Sequence, residues 1–331
     1  LSVETKKRFK QDFETRVDEA YRRRGRRVWL KVVSYAAMLA LPIIAGMLLW
    51  TRQSVEEVVD YGIGPIEHGV RKATLVLNDG KVLALDTSRM TLKEIDGVTI
   101  HTNDQALVYV DSLDDQDVNL QNRLITPKGG EYTIMLADGT KVWVNAATEI
   151  RYPVKFAGKE RRVRLEGEAY FEVVKNTEKP FIVEANGVEV AAVGTEFNVN
   201  SRKEKIVESV LVKGRVGVGN GIRQVMLKPN QLAVCDVETS GIVVKEVDIR
   251  KYIDWTNGDF VFSDDRLEDV MNKLALWYDC DVVYADAELK EIRLSGDMKR
   301  YGEVEEFLHF LEISTGARFS VKNKTIVVSI K

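Results

Sequence analysis

The chain has 331 residues, of which 30% are charged and 45% are hydrophobic, and this composition is typical of folded domains. The formal net charge of −3 and the lack of nucleotide-binding motifs give no support for a nucleic-acid-binding protein. The three histidines and two cysteines are scattered, and no nucleophile-elbow motif is present. We therefore predict no cofactor, no metal site and no enzyme activity, and two separate buried thiols rather than a disulfide.

Residues 1–27 form a basic segment. It contains ten Lys or Arg and five Asp or Glu, a net charge of +5 that leaves −8 for the rest of the chain. Four apolar residues, Phe9, Phe13, Val17 and Ala20, recur at helical spacing and predict one apolar stripe on a helix. This stripe is either a surface that binds a protein or a helix that lies on lipid. The segment ends in an arginine cluster: Arg22, Arg23, Arg24, Arg26 and Arg27.

Residues 28–50 are predicted to form a single transmembrane helix. The uncharged run from Val32 to Trp50 would extend about 28 Å as a helix, close to the thickness of the hydrocarbon core of a bilayer. The arginine cluster flanks its N-terminal end alone, which places the N-terminus in the cytoplasm. A cleaved signal peptide and a buried core helix are the alternatives. The run is longer than a signal core, and no small-residue cleavage site follows it.

Residues 51–65 are predicted to be a polar linker, and residues 66–247 an all-β domain, either a β-sandwich or a β-roll. Two similar hairpins are expected around Asn78-Asp79-Gly80 and Asp138-Gly139, because Asp-Gly between alternating apolar residues favours a tight turn. The repeated pattern suggests a duplicated hairpin. We find no helical period between Gly69 and Val247.

Residues 248–257 are predicted to be a second linker, and residues 258–331 a small α/β domain. Ser263-Asp264-Asp265 is expected to cap a helix whose apolar residues include Leu267 and Leu274. A second helix would place Phe307 and Leu311 on one face. Strand-like runs flank both helices, so the order predicts two βαβ units.

Three motifs occur in order between residues 152 and 200. They are Gly167-Glu168-Ala169-Tyr170-Phe171-Glu172-Val173, Pro180-Phe181 and Gly194-Thr195-Glu196-Phe197-Asn198-Val199. This stretch closely resembles the periplasmic region of the FecR-type anti-sigma factor family. Residues 254–284 resemble the small domain that ends many such proteins in Bacteroidetes-like bacteria, a domain similar to the short N-terminal signalling domain of secretins and TonB-dependent receptors.

The resemblance implies a single-pass protein of the bacterial inner membrane, with a cytoplasmic N-terminus and a periplasmic bulk. Its expected partners are an extracytoplasmic-function sigma factor inside and the signalling domain of a TonB-dependent outer-membrane transporter outside. Envelope and intramembrane proteases would cut the protein and release the sigma factor. Family members usually carry a sigma-binding segment before the membrane that is longer than residues 1–27. Within these residues, the apolar stripe formed by Phe9, Phe13, Val17 and Ala20 is the candidate sigma contact.

Two other functions stay open at this point. The first is a membrane-anchored periplasmic binding or scaffold module that does not bind a sigma factor. The second is a carbohydrate-active enzyme of the cell envelope with a carboxylate pair, although no such pair stands out.

Gly194-Thr195 supports a separate hypothesis of self-cleavage. A threonine hydroxyl can attack the carbonyl carbon that precedes it, and a glycine leaves that carbonyl unobstructed. A turn glycine followed by a strand threonine is the alternative interpretation.

Overall fold

The structure, a computed structural model, describes residues 66–86, 91–93, 99–102, 106–110 and 120–330. Outside these residues lie the basic segment with Phe9, Phe13, Val17 and Ala20, the arginines at 22–27, the predicted membrane span at 28–50 and the linker at 51–65. Among the described residues, no helix is both long and apolar enough to cross a bilayer.

The described part of the chain up to residue 247 contains strands and no helix. The strands are β1 (Val70–Arg71), β2 (Ala73–Val76), β3 (Val82–Leu85), β4 (Thr91–Lys93), β5 (Thr99–Thr102), β6 (Leu107–Val110), β7 (Gln121–Thr126), β8 (Gly130–Met135), β9 (Lys141–Val144), β10 (Thr148–Pro153), β11 (Arg161–Glu166), β12 (Glu168–Glu172), β13 (Phe181–Ala185), β14 (Val188–Ala192), β15 (Glu196–Lys203), β16 (Ile206–Lys213), β17 (Val216–Gly219), β18 (Gln224–Leu227), β19 (Gln231–Asp236) and β20 (Ile242–Glu246). This agrees with the prediction of an all-β fold.

Two sheets are built from these strands within the described residues. The first has the order β20-β19-β16-β15-β12-β9-β8-β6-β5-β4, and β1 pairs with β8 beside that path. The second has the order β18-β17-β14-β13-β11-β10-β7-β2-β3. Most pairs are antiparallel, and β11·β13, β6·β8 and β1·β8 are parallel. Alternate residues of both sheets face one shared hydrophobic core, so we refer to the two sheets together as the β domain.

Both predicted hairpins are present, with the same turn. Gly80 and Gly139 each have φ 83°, a left-handed conformation that favours glycine. The amides of these glycines donate to the carbonyls of Leu77 and Leu136, each at 2.9 Å. The first hairpin, β2-β3, lies in the second sheet, whereas β8-β9 lies in the first. The similar hairpins therefore contribute to different sheets.

The remaining residues form a smaller unit with a separate core. Its elements are α1 (Arg250–Ile253), a 3₁₀ turn (Asp254–Asn257), β21 (Asp259–Arg266), α2 (Leu267–Trp277), β22 (Asp281–Tyr284), a second 3₁₀ turn (Ala287–Glu291), β23 (Arg293–Lys299), α3 (Val304–Thr315), β24 (Ala317–Lys322) and β25 (Thr325–Ile330). Both predicted helices are present. We call this unit the C-terminal domain.

The prediction of two βαβ units is wrong. β21 pairs with β23 in one antiparallel sheet, and β22, β25 and β24 form another. Each long helix therefore connects strands of different sheets, whereas a βαβ unit joins parallel neighbours of one sheet. The predicted cap is also displaced, because β21 continues to Arg266, which is the N-cap of α2 and makes no side-chain capping bond.

Candidate functional site

The C-terminal domain packs against the β domain through a mainly polar junction. A cleft of about 440 Å³ lies there, lined by Glu168 and Arg202 of the first sheet and by Trp255, Lys273 and Arg300 of the C-terminal domain. Because the two domains have separate hydrophobic cores, this junction is the surface through which a change in one domain reaches the other.

Arg300 is the central residue of the junction, with only 1% of its surface exposed. Its guanidinium lies over the indole of Trp277, with the Cζ atom 3.7 Å from the ring centre. Nη2 donates to Asn145 Oδ1 of the β domain at 2.6 Å, and Nη1 lies 3.2 Å from Glu131 Oε2. Nη1 also donates to the carbonyl of Trp255 at 3.0 Å. One side chain thus bonds both domains, with the planar geometry that arginine offers and lysine does not.

Glu168 is the buried acid on the β-domain side. Its carboxylate forms an ion pair with Arg202 and accepts hydrogen bonds from Asn145 Nδ2 at 2.8 Å and Asn198 Nδ2 at 3.1 Å. Asn145 therefore bonds Glu168 through its amide nitrogen and Arg300 through its amide oxygen. We call Asn145, Glu168, Arg202 and Arg300 the junction network.

The charge of Glu168 is retained despite its burial. Burial acts to raise the pKa of this carboxyl, but Arg202 and the amides of Asn198 and Asn145 outweigh it, so the pKa lies below its ordinary value. Glu208, on the same cleft, has its pKa raised because burial dominates there. The two glutamates of the cleft thus differ in environment, since the pKa is lowered at Glu168 and raised at Glu208.

The three sequence motifs meet in the β-domain core. Phe171 of the first motif stacks on Phe197 of the third, with ring centres 5.2 Å apart and planes 15° apart. Phe171 also lies 6.0 Å from Phe181 of the Pro-Phe motif. The aromatic residues of the motifs therefore define one packed cluster, and Glu168 is the motif residue that faces the junction.

A sequence model described as FecR protein matches residues 122–217, and one described as FecR, C-terminal, matches residues 259–328. The chain belongs to the FecR family. This family is regulatory and not catalytic, in agreement with the lack of enzyme motifs in the sequence. The two matches cover the motif-bearing strands and the C-terminal domain, which are the two sides of the junction.

Solved structures support the same assignment. Two crystal structures, each of a candidate anti-sigma factor from Parabacteroides distasonis ATCC 8503, have 27% sequence identity to this FecR-type chain. They cover 63% and 64% of it and 99% of their own chains, with TM-scores of 0.59 and 0.58. Among curated proteins, none matches.

Gly194 and Thr195 lie immediately before β15 in this FecR-type fold. Gly194 has φ 145°, and a Cβ there would lie 2.7 Å from the side chain of Lys175, so close packing requires a glycine. Thr195 is 4% exposed, and its Oγ1 is buried without a hydrogen-bond partner. The packing accounts for Gly194, but it does not account for the unpaired hydroxyl.

The cysteines are placed as the sequence predicted. Cys235 belongs to the β-domain core and Cys280 to the C-terminal core, and both are free and buried. Within the described ranges, no group of three or more His, Cys, Asp or Glu residues is arranged to hold a metal ion.

The junction network is the part of the FecR-type fold that sequence reasoning missed. Glu168 lies inside a motif that was singled out, but the sequence gives no sign of whether it faces the core or a partner. Arg300 and Asn145 are 155 positions apart, and no spacing rule relates residues at that separation. The burial of Arg300 beside several aromatic residues can be seen only in the folded structure.

Proposed function

We propose that this FecR-type protein is a single-pass anti-sigma factor of the bacterial inner membrane. It would relay the state of a TonB-dependent outer-membrane transporter to an extracytoplasmic-function sigma factor, and regulated proteolysis would release that factor. The family assignment supports the anti-sigma role. The transporter, the proteases and the membrane position are part of the proposal.

The structural observation that supports the proposal is the way in which the two domains contact each other at the junction. The C-terminal domain is joined to the β domain by directional hydrogen bonds and an ion pair, from Arg300 to Asn145 and Glu131 and from Tyr301 to Glu131. The two main hydrophobic cores are separate, and Ala146 is the residue of the β domain that packs into the C-terminal core. Interfaces of this polar kind permit relative domain motion more readily than hydrophobic ones. A transporter domain that binds the C-terminal domain could therefore change its position on the β domain.

Co-purification tests the anti-sigma role. The tagged full-length chain is expressed with the sigma factor encoded beside its gene, extracted in mild detergent and purified. We expect the sigma factor to be retained, and we expect Phe9→Asp with Phe13→Asp to abolish retention because the apolar stripe is disrupted. Ile222→Asp, at a residue of the β domain that is 77% exposed, is the control and should leave retention unchanged. If the confirmed full-length protein retains no sigma factor, the scaffold alternative is favoured.

A second candidate activity is self-cleavage between Gly194 and Thr195. The unpaired, buried Oγ1 of Thr195 favours it, because that hydroxyl is not engaged by another acceptor. In this step Oγ1 attacks the Gly194 carbonyl carbon, an ester bond replaces the peptide bond, and the amine of Thr195 takes the proton. Water then hydrolyses the ester and leaves fragments 1–194 and 195–331.

The chain contains its own control, a second Gly-Thr pair at Gly139-Thr140. The hydroxyl of Thr140 donates to Asp138 Oδ2 at 2.7 Å and is therefore engaged. Intact-mass measurement of the purified full chain should show cleavage at 194/195 and none at 139/140. Thr195→Ser should retain cleavage and Thr195→Ala should abolish it. A single uncut species of the expected full mass would exclude this activity.

A further inference from the structure

Residues 66–72, which we call the lead-in segment, connect the predicted membrane helix to the β domain. Ile66 follows Trp50 by sixteen positions. It is 3% exposed and is buried among the apolar side chains of the C-terminal core, although in sequence it precedes the β domain. The first described residue of the chain is thus packed into its last domain.

Gly69 packs against the indole of Trp277. A Cβ on Gly69 would lie 2.4 Å from Cε3 of Trp277, a separation that real atoms do not adopt, so the indole packs directly on the glycine backbone. The ring of His68 lies edge-on to Tyr301, with centres 5.7 Å apart, and Tyr301 lies edge-on to Trp277 at 5.5 Å. The apolar anchors of the lead-in segment are therefore supplied by the C-terminal domain.

The segment is attached to the β domain from Val70 onward. The amide of Val70 donates to Gly129 at 3.0 Å, and the amide of Lys72 donates to Glu131 at 3.1 Å. The strand that they define, β1, has two residues, and Val70 is 48% exposed. Gly129 in turn donates to the carbonyl of Leu276 in α2 at 2.8 Å. Arg71 adds a contact to the β domain, since its guanidinium carbon lies 4.6 Å from the centre of the Tyr132 ring. Residues 66–69 precede these contacts, and the C-terminal domain supplies their packing partners.

We propose that the C-terminal domain holds the lead-in segment in place as a releasable clamp, made by Trp277 and Tyr301 around His68 and Gly69. When the C-terminal domain is displaced, residues 66–69 lose their anchors, and the peptide bond after Glu67 becomes accessible to an envelope protease. The clamp is a property of the fold itself, whereas its use in signalling rests on the proposed function. Release would occur next to the membrane, where one cut separates the two domains from the anchor.

Hydrogen exchange followed by mass spectrometry tests the clamp in the full-length protein in detergent micelles. Gly69→Ala forces the Trp277 ring to move. Tyr301→Leu removes the ring contacts of a residue that is 49% exposed, so the C-terminal core is retained. We expect both variants to exchange the amide of Val70 about tenfold faster or more, with β12 unchanged. Glutamyl endopeptidase should then cut after Glu67 in both variants but not in the parent protein.

Gly217→Ala is the matched control, because its Cβ would meet only the ends of the Gln224 and Met226 side chains. It should show the exchange and cleavage of the parent protein. The clamp is refuted if Gly69→Ala and Tyr301→Leu both leave the lead-in segment protected. It is equally refuted if β12 loses protection to the same extent, because the segment is then not released separately. A failure of sigma-factor retention, with clamp release intact, would count against the proposed function alone.

Discussion

Arg300 and Trp277 hold each other in a reciprocal contact. The guanidinium carbon of Arg300 lies 3.7 Å from the centre of the indole, and the indole Nε1 donates to the backbone carbonyl of Arg300 at 2.6 Å. The contact fixes the direction of the guanidinium, which then reaches Asn145 and Glu131 of the β domain. The position of the C-terminal domain on the β domain therefore depends on a pair that lies within the C-terminal domain.

Arg300→Lys should weaken the junction even though the charge is kept. Lysine cannot stack on the indole in the same way or donate along the two directions to Trp255 and Asn145. Because the hydrogen bonds from a charged donor to Asn145 and Trp255 are lost or weakened, we expect a loss of about 2–3 kcal/mol in the free energy of unfolding. Urea denaturation followed by tryptophan fluorescence measures this, because Trp255 and Trp277 lie beside the substituted residue.

Arg318→Lys, on the exposed side of β24, is the control for Arg300→Lys. It should change the free energy of unfolding by less than about 0.5 kcal/mol, as surface substitutions usually do. Equal effects of the two substitutions would contradict the role assigned to Arg300.

Glu168→Gln should destabilise the protein at pH 7 by about 3 kcal/mol, because it leaves the largely buried Arg202 without its counter-ion. The pKa of Glu168 is lower in the folded protein than in the unfolded chain. Its stabilising contribution is therefore complete above the unfolded-state pKa of about 4.3, and it is lost as the pH falls through the folded-state pKa. The difference between parent and variant should narrow below about pH 4.

Urea midpoints at pH 7, 5, 4 and 3 check the effect of Glu168→Gln. Glu166→Gln is a close control, since the side chain of Glu166 is 71% exposed and lies 3.9 Å from Arg151. It should cost less than about 1 kcal/mol at every pH. A parent–variant difference at Glu168 that does not depend on pH would show that the carboxylate charge is not what stabilises the junction.

The local features of the fold were predictable, because their causes are local. Asp-Gly turns specified both hairpins through the left-handed conformation that Gly80 and Gly139 adopt. The helical spacing of Leu267 to Leu274 likewise identified α2. Strand partners depend on contacts between distant residues, and for this reason the C-terminal order was wrongly assigned to βαβ units.

The sequence also could not indicate that Ile66 belongs to the C-terminal core. In sequence it precedes the first hairpin, and nothing in its neighbours indicates that it is buried beside α2 and α3. Contacts between distant residues bring this stretch to the C-terminal domain, such as that of Gly69 with Trp277, 208 positions apart. The candidate site could not be predicted because each of its members is paired with a residue far away in the chain.

Cys235 and Cys280 should both be unreactive in the folded protein. Burial raises the pKa of each thiol to about 11. At pH 8 such a thiol holds on the order of a hundredfold less thiolate than an exposed one, and the thiolate is the reactive form. Intact mass after iodoacetamide treatment should show no added carbamidomethyl group in buffer. It should show two groups in about 8 M urea, which unfolds the protein and exposes both thiols. A mass two hydrogens lower and no labelling in urea would indicate a disulfide.

Phe171 should be the most sensitive of the motif residues, because it contacts both Phe197 and Phe181. Phe171→Ala removes a fully buried ring and should cost about 3–5 kcal/mol, whereas Phe171→Leu keeps most of the volume and should cost about 1–2 kcal/mol. Val174→Ala, at a residue 44% exposed, should cost less than about 0.5 kcal/mol. Urea denaturation of the three variants gives their free energies of unfolding, and these can be ranked directly. If Phe171→Ala costs no more than Val174→Ala, the aromatic cluster does not stabilise the β domain, and the motif must be explained by its polar residues, with Glu168 at the junction first among them.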